Sequence, residues 1–118
     1  MEKLFFERDY DIVAIVTNNR SSKNDFYSGY RPAFDIHKNY STTGEIKFIE
    51  CDRLSYGSTA KCLIKFLTPE VYPKSLWIGK KIYFREGSII TGSATVVDII
   101  NKVLESEIPG IEGALSLN

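Results

Sequence analysis

At 118 residues, with 43% hydrophobic and 25% charged side chains, the chain has the size and composition of one globular domain, which excludes wholesale disorder and a second core. Lys plus Arg number 15 and Asp plus Glu number 15, so the formal net charge is zero. A protein that grips nucleic acid through bulk charge alone is basic, and any RNA contact here has to be local.

The N-terminal Met1-Glu2-Lys3-Leu4-Phe5-Phe6-Glu7 has no long apolar stretch, and no run of about 18 apolar residues follows that would cross a bilayer as a helix. A secretory signal is not expected, and the cytoplasm is the expected location. The first strand is predicted over Asp11 to Thr17, where Ile12-Val13-Ala14-Ile15-Val16 is continuously apolar and rich in branched residues. Asn18 to Ser28 is polar and reads as a long surface loop.

From Tyr30 the pattern alternates, with Tyr30, Pro32, Phe34 and Ile36 on one face and Arg31, Ala33, Asp35 and His37 on the other. Pro32 lacks an amide hydrogen and places this strand at an edge, or marks its beginning. Asn39 to Gly44 reads as a turn, and Ile46 and Phe48 carry the next short strand. Ser58 to Leu67 alternates again, its apolar Ala60, Cys62, Ile64 and Phe66 opposing Thr59, Lys61 and Lys65. Leu63 and Leu67 interrupt that polar face, which predicts partial cover.

Pro69 and Pro73 bracket a loop that ends near Trp77-Ile78-Gly79. Lys80 to Arg85 is a predicted strand with Ile82 and Phe84 inward. Glu86-Gly87-Ser88 is a hairpin turn in which Gly87 supplies a positive φ, and Ile89 to Ile100 returns. Val97, Ile100, Val103 and Leu104 also fall on one helical face, so Val97 to Leu104 has a helical alternative. Glu105 to Asn118, punctuated by Pro109, Gly110 and Gly113, reads as a frayed or extended tail. Six short strands of this kind predict a closed or nearly closed antiparallel barrel.

The residues for several chemistries are missing from the sequence. No glycine-rich loop leads into Gly-Lys-Ser or Gly-Lys-Thr, so no phosphate cradle is read. One His and two distant Cys do not supply a nitrogen–sulfur metal site, and no cofactor is expected. Cys51 and Cys62 are expected to be a reduced, packed pair. His37 could act as a general base, but no partner constellation is readable around it. An enzyme centred on His37 therefore stands as the weakest functional reading, and the chain is expected not to be an enzyme.

Three segments, in order, carry a family resemblance. Gly29-Tyr30-Arg31-Pro32-Ala33-Phe34, followed by Thr43-Gly44, is similar to Gly-Tyr-Arg-Pro-Gln-Phe with its Thr-Gly turn. Leu67-Thr68-Pro69 is similar to Ile-His-Pro, and Phe84-Arg85-Glu86-Gly87 with Thr91 to Val97 is similar to an Arg-Glu-Gly-Gly-Arg hairpin and its return strand. Together they resemble the third, C-terminal, β-barrel domain of bacterial elongation factor Tu over residues 8–104, with residues 105–118 as a tail lacking a counterpart.

The resemblance implies an all-β fold, a six-stranded antiparallel Greek-key barrel of that domain's type, here without a GTPase domain or bound nucleotide. It also implies two surfaces. In the family a Gln after Arg-Pro, a Thr before the turn glycine and the hairpin Glu-Gly contact the T-stem of tRNA. Thr43, Glu86 and Gly87 match these, and Arg31 and Arg85 are the nearby cations, whereas Ala33 stands at the Gln position and Ile89 replaces the hairpin's second Arg. Ala33 offers no side-chain hydrogen bond, and Ile89 removes a phosphate-neutralising charge.

The family's Pro-containing loop meets a protein partner, which makes Pro69, Tyr72, Trp77 and Tyr83 the candidate partner-binding residues. Structural alternatives accompany these roles: Arg31 paired with Asp35 or Glu86, and Trp77 capping one end of the barrel. The expected function is a non-catalytic, translation-factor-like module that binds a protein partner or itself. Weak binding to the tRNA T-arm is the alternative.

Overall fold

The computed structural model describes residues 9–38 and 40–110. The expectations for Met1 to Arg8, for Asn39 and for residues 111–118 lie outside these. Among the described residues eight strands form: β1 (Ile12–Asn18), β2 (Phe26–Tyr27), β3 (Ala33–His37), β4 (Tyr40–Phe48), β5 (Arg53–Leu54), β6 (Thr59–Phe66), β7 (Lys81–Glu86) and β8 (Ile89–Ile99). Six close an antiparallel barrel in the order β1-β6-β4-β3-β7-β8, and β2 pairs with β5 in a separate two-stranded sheet. β3, β4 and β6 are successive neighbours, while β1 reaches β3 by a long connection and lies beside β6. That is a Greek-key arrangement.

The period-two pattern explains the packing. Ile12, Ala14 and Val16 of β1 point inward with Phe34 and Ile36, Ile46 and Phe48, Cys62, Ile64 and Phe66, Ile82 and Phe84, and Ala94 and Val96. These side chains fill the barrel, as expected for a small closed sheet. Phe34 sits at the centre, with its ring centroid 5.4 Å from Phe66 and 5.3 Å from Phe84. Gly92 is a steric necessity there, since a Cβ would fall 2.4 Å from both the Thr17 carbonyl oxygen and Phe84 Cζ.

Polar anchors tie the strand ends. Asp11 is buried, and its carboxylate accepts from the Phe66 amide at 2.7 Å and from Asn101 Nδ2 at 2.9 Å. Its carbonyl accepts from the amides of Ile100 and Asn101. One residue thus joins the start of β1 to the ends of β6 and β8. Asn18, at the other end of β1, is buried and donates to the carbonyls of Asn24 and Leu54 at 3.0 and 2.9 Å. The loop expected to be a polar surface segment is therefore pinned at its first residue.

Three further expectations are corrected. Tyr40 to Gly44 belongs to β4 instead of a turn, because Tyr40 to Thr43 pair with β3 across a register shift and Gly44 to Phe48 pair with β6. The helical alternative at the C-terminus fails: β8 continues to Ile99, and only a 3-10 turn at Lys102–Leu104 follows, with the Asn101 side chain accepting from the Val103 amide. The outward face of β6 is partly covered, as expected: Lys65 is buried with its Nζ 4.7 Å from the Tyr10 ring centre and Leu63 is half-buried, while Leu67 is exposed. The tail begins as a docked segment, with Glu105 bridged to Leu76 and the Ser106 amide donating to the Leu76 carbonyl at 2.7 Å.

The cysteines form no disulfide, but they are not packed alike: Cys51 is exposed and Cys62 is buried. Burial, with the neighbouring Cys51 as a smaller cause, pushes the Cys62 thiol up to about 12, so it stays protonated and inert at neutral pH. No helix among the described residues is long and apolar enough to cross a membrane.

Candidate functional site

The topology sorts the predicted site residues into distinct places on the outer surface. Ala33 lies opposite Thr43 on one side and opposite Arg85 on the other, so Thr43, Ala33 and Arg85 form a row across β4, β3 and β7. Arg31 lies just before that row and is exposed. It donates to the Glu45 carboxylate at 2.9 Å, which replaces the expected pairing with Asp35 or Glu86. Asp35 instead pairs with Arg85. The correction follows from the ladder: Glu45 is on the neighbouring strand β4, whereas Asp35 is drawn to the β7 side.

Glu86 and Gly87 occupy the β7–β8 hairpin, and Gly87 has the expected positive φ of 61°. Glu86 is held by two partners that the sequence reading did not find. The Tyr30 hydroxyl donates to it at 2.7 Å, and the Arg20 guanidinium pairs with it. The guanidinium carbon of Arg20 lies 4.7 Å from the Phe26 ring centre and 5.0 Å from that of Tyr30, while Nη1 donates to the Asp25 carbonyl. A β-bulge in the β7–β8 ladder leaves Thr91 without a partner on β7, and its hydroxyl meets the Tyr30 hydroxyl at 2.8 Å. Burial, first, and the Glu86 charge push the Tyr30 phenol above its ordinary range. The Tyr30 hydrogen bond, followed by Arg20, holds the Glu86 carboxyl below the usual carboxylate range.

The partner-binding candidates lie in or near the loop between β6 and β7. Pro69 is buried at the start of a 3-10 turn. Tyr72 is half-buried and donates to the Ser41 carbonyl at 3.1 Å. Trp77, also half-buried, lies over the Lys80 ammonium at 4.6 Å, so it covers a buried charge. Tyr83 is exposed on β7. The same loop exposes three aliphatic side chains absent from the predicted set: Leu67 at 51%, Val71 at 60% and Ile78 at 62%.

Two concavities flank these elements. One, of about 610 Å³, is lined by the Lys74 and Lys102 side and by Glu105 and Glu107, whose charges pair as Lys74–Glu107 and Lys102–Glu105. The other, of about 390 Å³, lies where β3 and β7 separate and includes Asp35, His37, Lys38 and residues 80–83 with Arg85. His37 Nδ1 meets the Lys38 carbonyl at 3.1 Å there, and its ring lies 5.7 Å from that of Tyr40. Among the described residues, no group of three or more His, Cys, Asp or Glu is placed to hold a metal ion.

A scan against protein-family models finds no match, and a search of curated proteins finds none.

The ionic tie at Glu86 gives a signed pH dependence. A carboxylate held below its unfolded pKa stabilises the fold fully above the ordinary Glu range, and that contribution is lost as pH falls through the depressed folded value. Urea unfolding of Glu86→Gln at pH 7 and at pH 3 should show a smaller loss of stability on acidification than the parent protein. Equal losses in the two proteins would contradict the tie.

Proposed function

We propose that this chain is a non-catalytic binding module, similar to the third domain of elongation factor Tu, that engages a protein partner through the loop between β6 and β7. The observation that carries this reading is the exposure of Leu67, Val71 and Ile78 in one loop whose backbone is held in place. Tyr72 donates to the Pro69 carbonyl, Lys74 to that of Val103 and Leu76 to that of Leu104. Apolar side chains presented on an ordered backbone cost little conformational entropy on docking, and interface cores favour apolar and aromatic residues. Trp77 and Tyr72 border the same loop. The filled barrel interior supports a module that works with its outside.

The test is a double variant, Val71→Asp with Ile78→Asp, in tagged full-length protein. Both positions are exposed, so urea unfolding should change little, by about 0.5 kcal/mol or less. A partner retained from lysate by the parent protein, or self-association seen by light scattering, should be lost in the variant. Retention of the same proteins at the same level by both forms would sink the reading.

The row of Thr43, Ala33 and Arg85 favours a second reading, weak binding of the tRNA T-arm with Arg31, Glu86 and Gly87 at its margin. Here Glu86 reaches any ligand only with Arg20 and Tyr30 attached. A gel shift with tRNA should weaken with rising salt and with Arg85→Glu, whose folding is checked by thermal melting. Indifference to both would remove this reading.

A further inference from the structure

β1 is apolar on both of its faces, and the barrel interior uses only one of them. Ile12, Ala14 and Val16 fill the core, while Val13 and Ile15 alternate with them on the outside. Five successive apolar residues, four of them branched, are what a strand covered on both sides carries. Yet Val13 is only half-buried, and Ile15 is 36% exposed. The neighbouring strands extend this apolar wall. Leu63 of β6 lies opposite Val13, and Val97, 36% exposed, sits at the β-bulge where β8 passes the same residue.

Two charges frame the patch. Lys61 is opposite Ile15 on β6, and Asp98 is opposite Val13 on β8. They stand at diagonal corners, about 9.6 Å apart across the strands and about 6.8 Å apart along them. Both are exposed. On the β3 side of the barrel the outward charges neutralise one another, Arg31 with Glu45 and Arg85 with Asp35. Among the described residues neither Lys61 nor Asp98 has an ion-pair partner, and the Asp98 carboxylate accepts from the Ile99 amide at 2.9 Å.

We infer that this face joins two copies of the chain in a symmetric dimer. One cation and one anion at opposite corners make the patch complementary to itself. Thr95 lies opposite Ile15 on β8, and a two-fold axis along the diagonal from Leu63 to Thr95 sets Lys61 of each copy over Asp98 of the other. Two identical ion pairs then close around Val13 and Ile15. The strands of the two copies cross at nearly a right angle, one of the two ways in which sheets stack. A patch built for an acidic or a basic partner would carry charges of one sign. The inference is independent of the loop proposed above for a protein partner, since it shares none of Leu67, Val71 and Ile78.

The patch is small against the roughly 800 Å² that each side gives to a standard interface, so the dimer is weak. Sedimentation velocity of the full-length protein over a wide concentration range tests it. The mean mass should climb from monomer towards dimer as concentration rises. Lys61→Glu or Asp98→Lys alone sets like charges against each other twice and should weaken association by about tenfold or more. Lys61→Glu combined with Asp98→Lys exchanges the signs of both pairs and should restore association to within about threefold of the parent. Circular dichroism confirms that each variant is folded. Should Asp98→Lys not fold, Asp98→Asn, which keeps an acceptor for the Ile99 amide, must weaken association while Lys23→Glu, an exposed charge in the β1–β2 loop, does not.

A monomer at every concentration overturns the inference. So does a dimer that the single charge reversals leave intact, or a combined variant as weak as the single ones. The Val71→Asp, Ile78→Asp protein, which alters only the loop, should dimerise like the parent. Self-association that this protein loses and Lys61→Glu keeps belongs to the loop and also overturns the inference, so failure here and failure of the loop reading give different results.

Discussion

Closure of the barrel between β3 and β7 is the constraint on which the rest of the molecule depends. Two residue pairs make the junction, and it holds because Phe34 and Phe84 meet inside it at 5.3 Å while Arg85 and Asp35 pair outside it. A sheet left open here would expose a row of unpaired backbone groups. The narrow junction also has a consequence on the outside. Where the strands part, the Ile36 carbonyl takes the Lys80 ammonium as its donor, and a groove opens between them.

Buried polar groups do for the ends of the barrel what the phenylalanines do for its middle. Asp11 collects the starts and ends of three strands, Asn18 pins the long loop, and Arg20 holds the β7–β8 hairpin against the aromatic pair of Phe26 and Tyr30. Asp11 and Asn18 are each satisfied by several partners, as burial of polar atoms requires, whereas the Nε of the partly buried Arg20 has none. Backbone hydrogen bonds from Tyr72, Lys74 and Leu76 likewise hold the β6–β7 loop in which Val71 and Ile78 are exposed.

The barrel was legible in the sequence because its interior obeys a period of two, a local property that needs no knowledge of partners. Phe34 and Ile36, Ile64 and Phe66, and Ile82 and Phe84 each declare a face by themselves. Contacts between distant strands were not legible. Arg20 meets Glu86 across 66 residues, and Arg31 chooses Glu45 because β4 lies beside it, a fact of topology instead of spacing. Lys65 reads as part of the polar face of its strand, since nothing local reveals that Tyr10 covers it. Reading Tyr40 to Gly44 as a turn failed for a related reason: Ser, Thr and Gly favour turns, but pairing with β3 and, from Gly44, with β6 overrides that preference. For the same reason the exposed aliphatic residues of the β6–β7 loop escaped notice, while Pro69, the loop's marker, turned out to be buried.

Surface and closure are thus one problem, and the direct measurement is of the junction itself. Backbone nuclear Overhauser contacts in the assigned, isotope-labelled protein report strand neighbours in solution. Contacts between Phe34 and Phe84 and between Ala33 and Arg85, with none between His37 and Lys81, are the predicted result. Absence of β3–β7 contacts, or their replacement by another strand order, would contradict the closed barrel and remove the groove and the cross-strand row together.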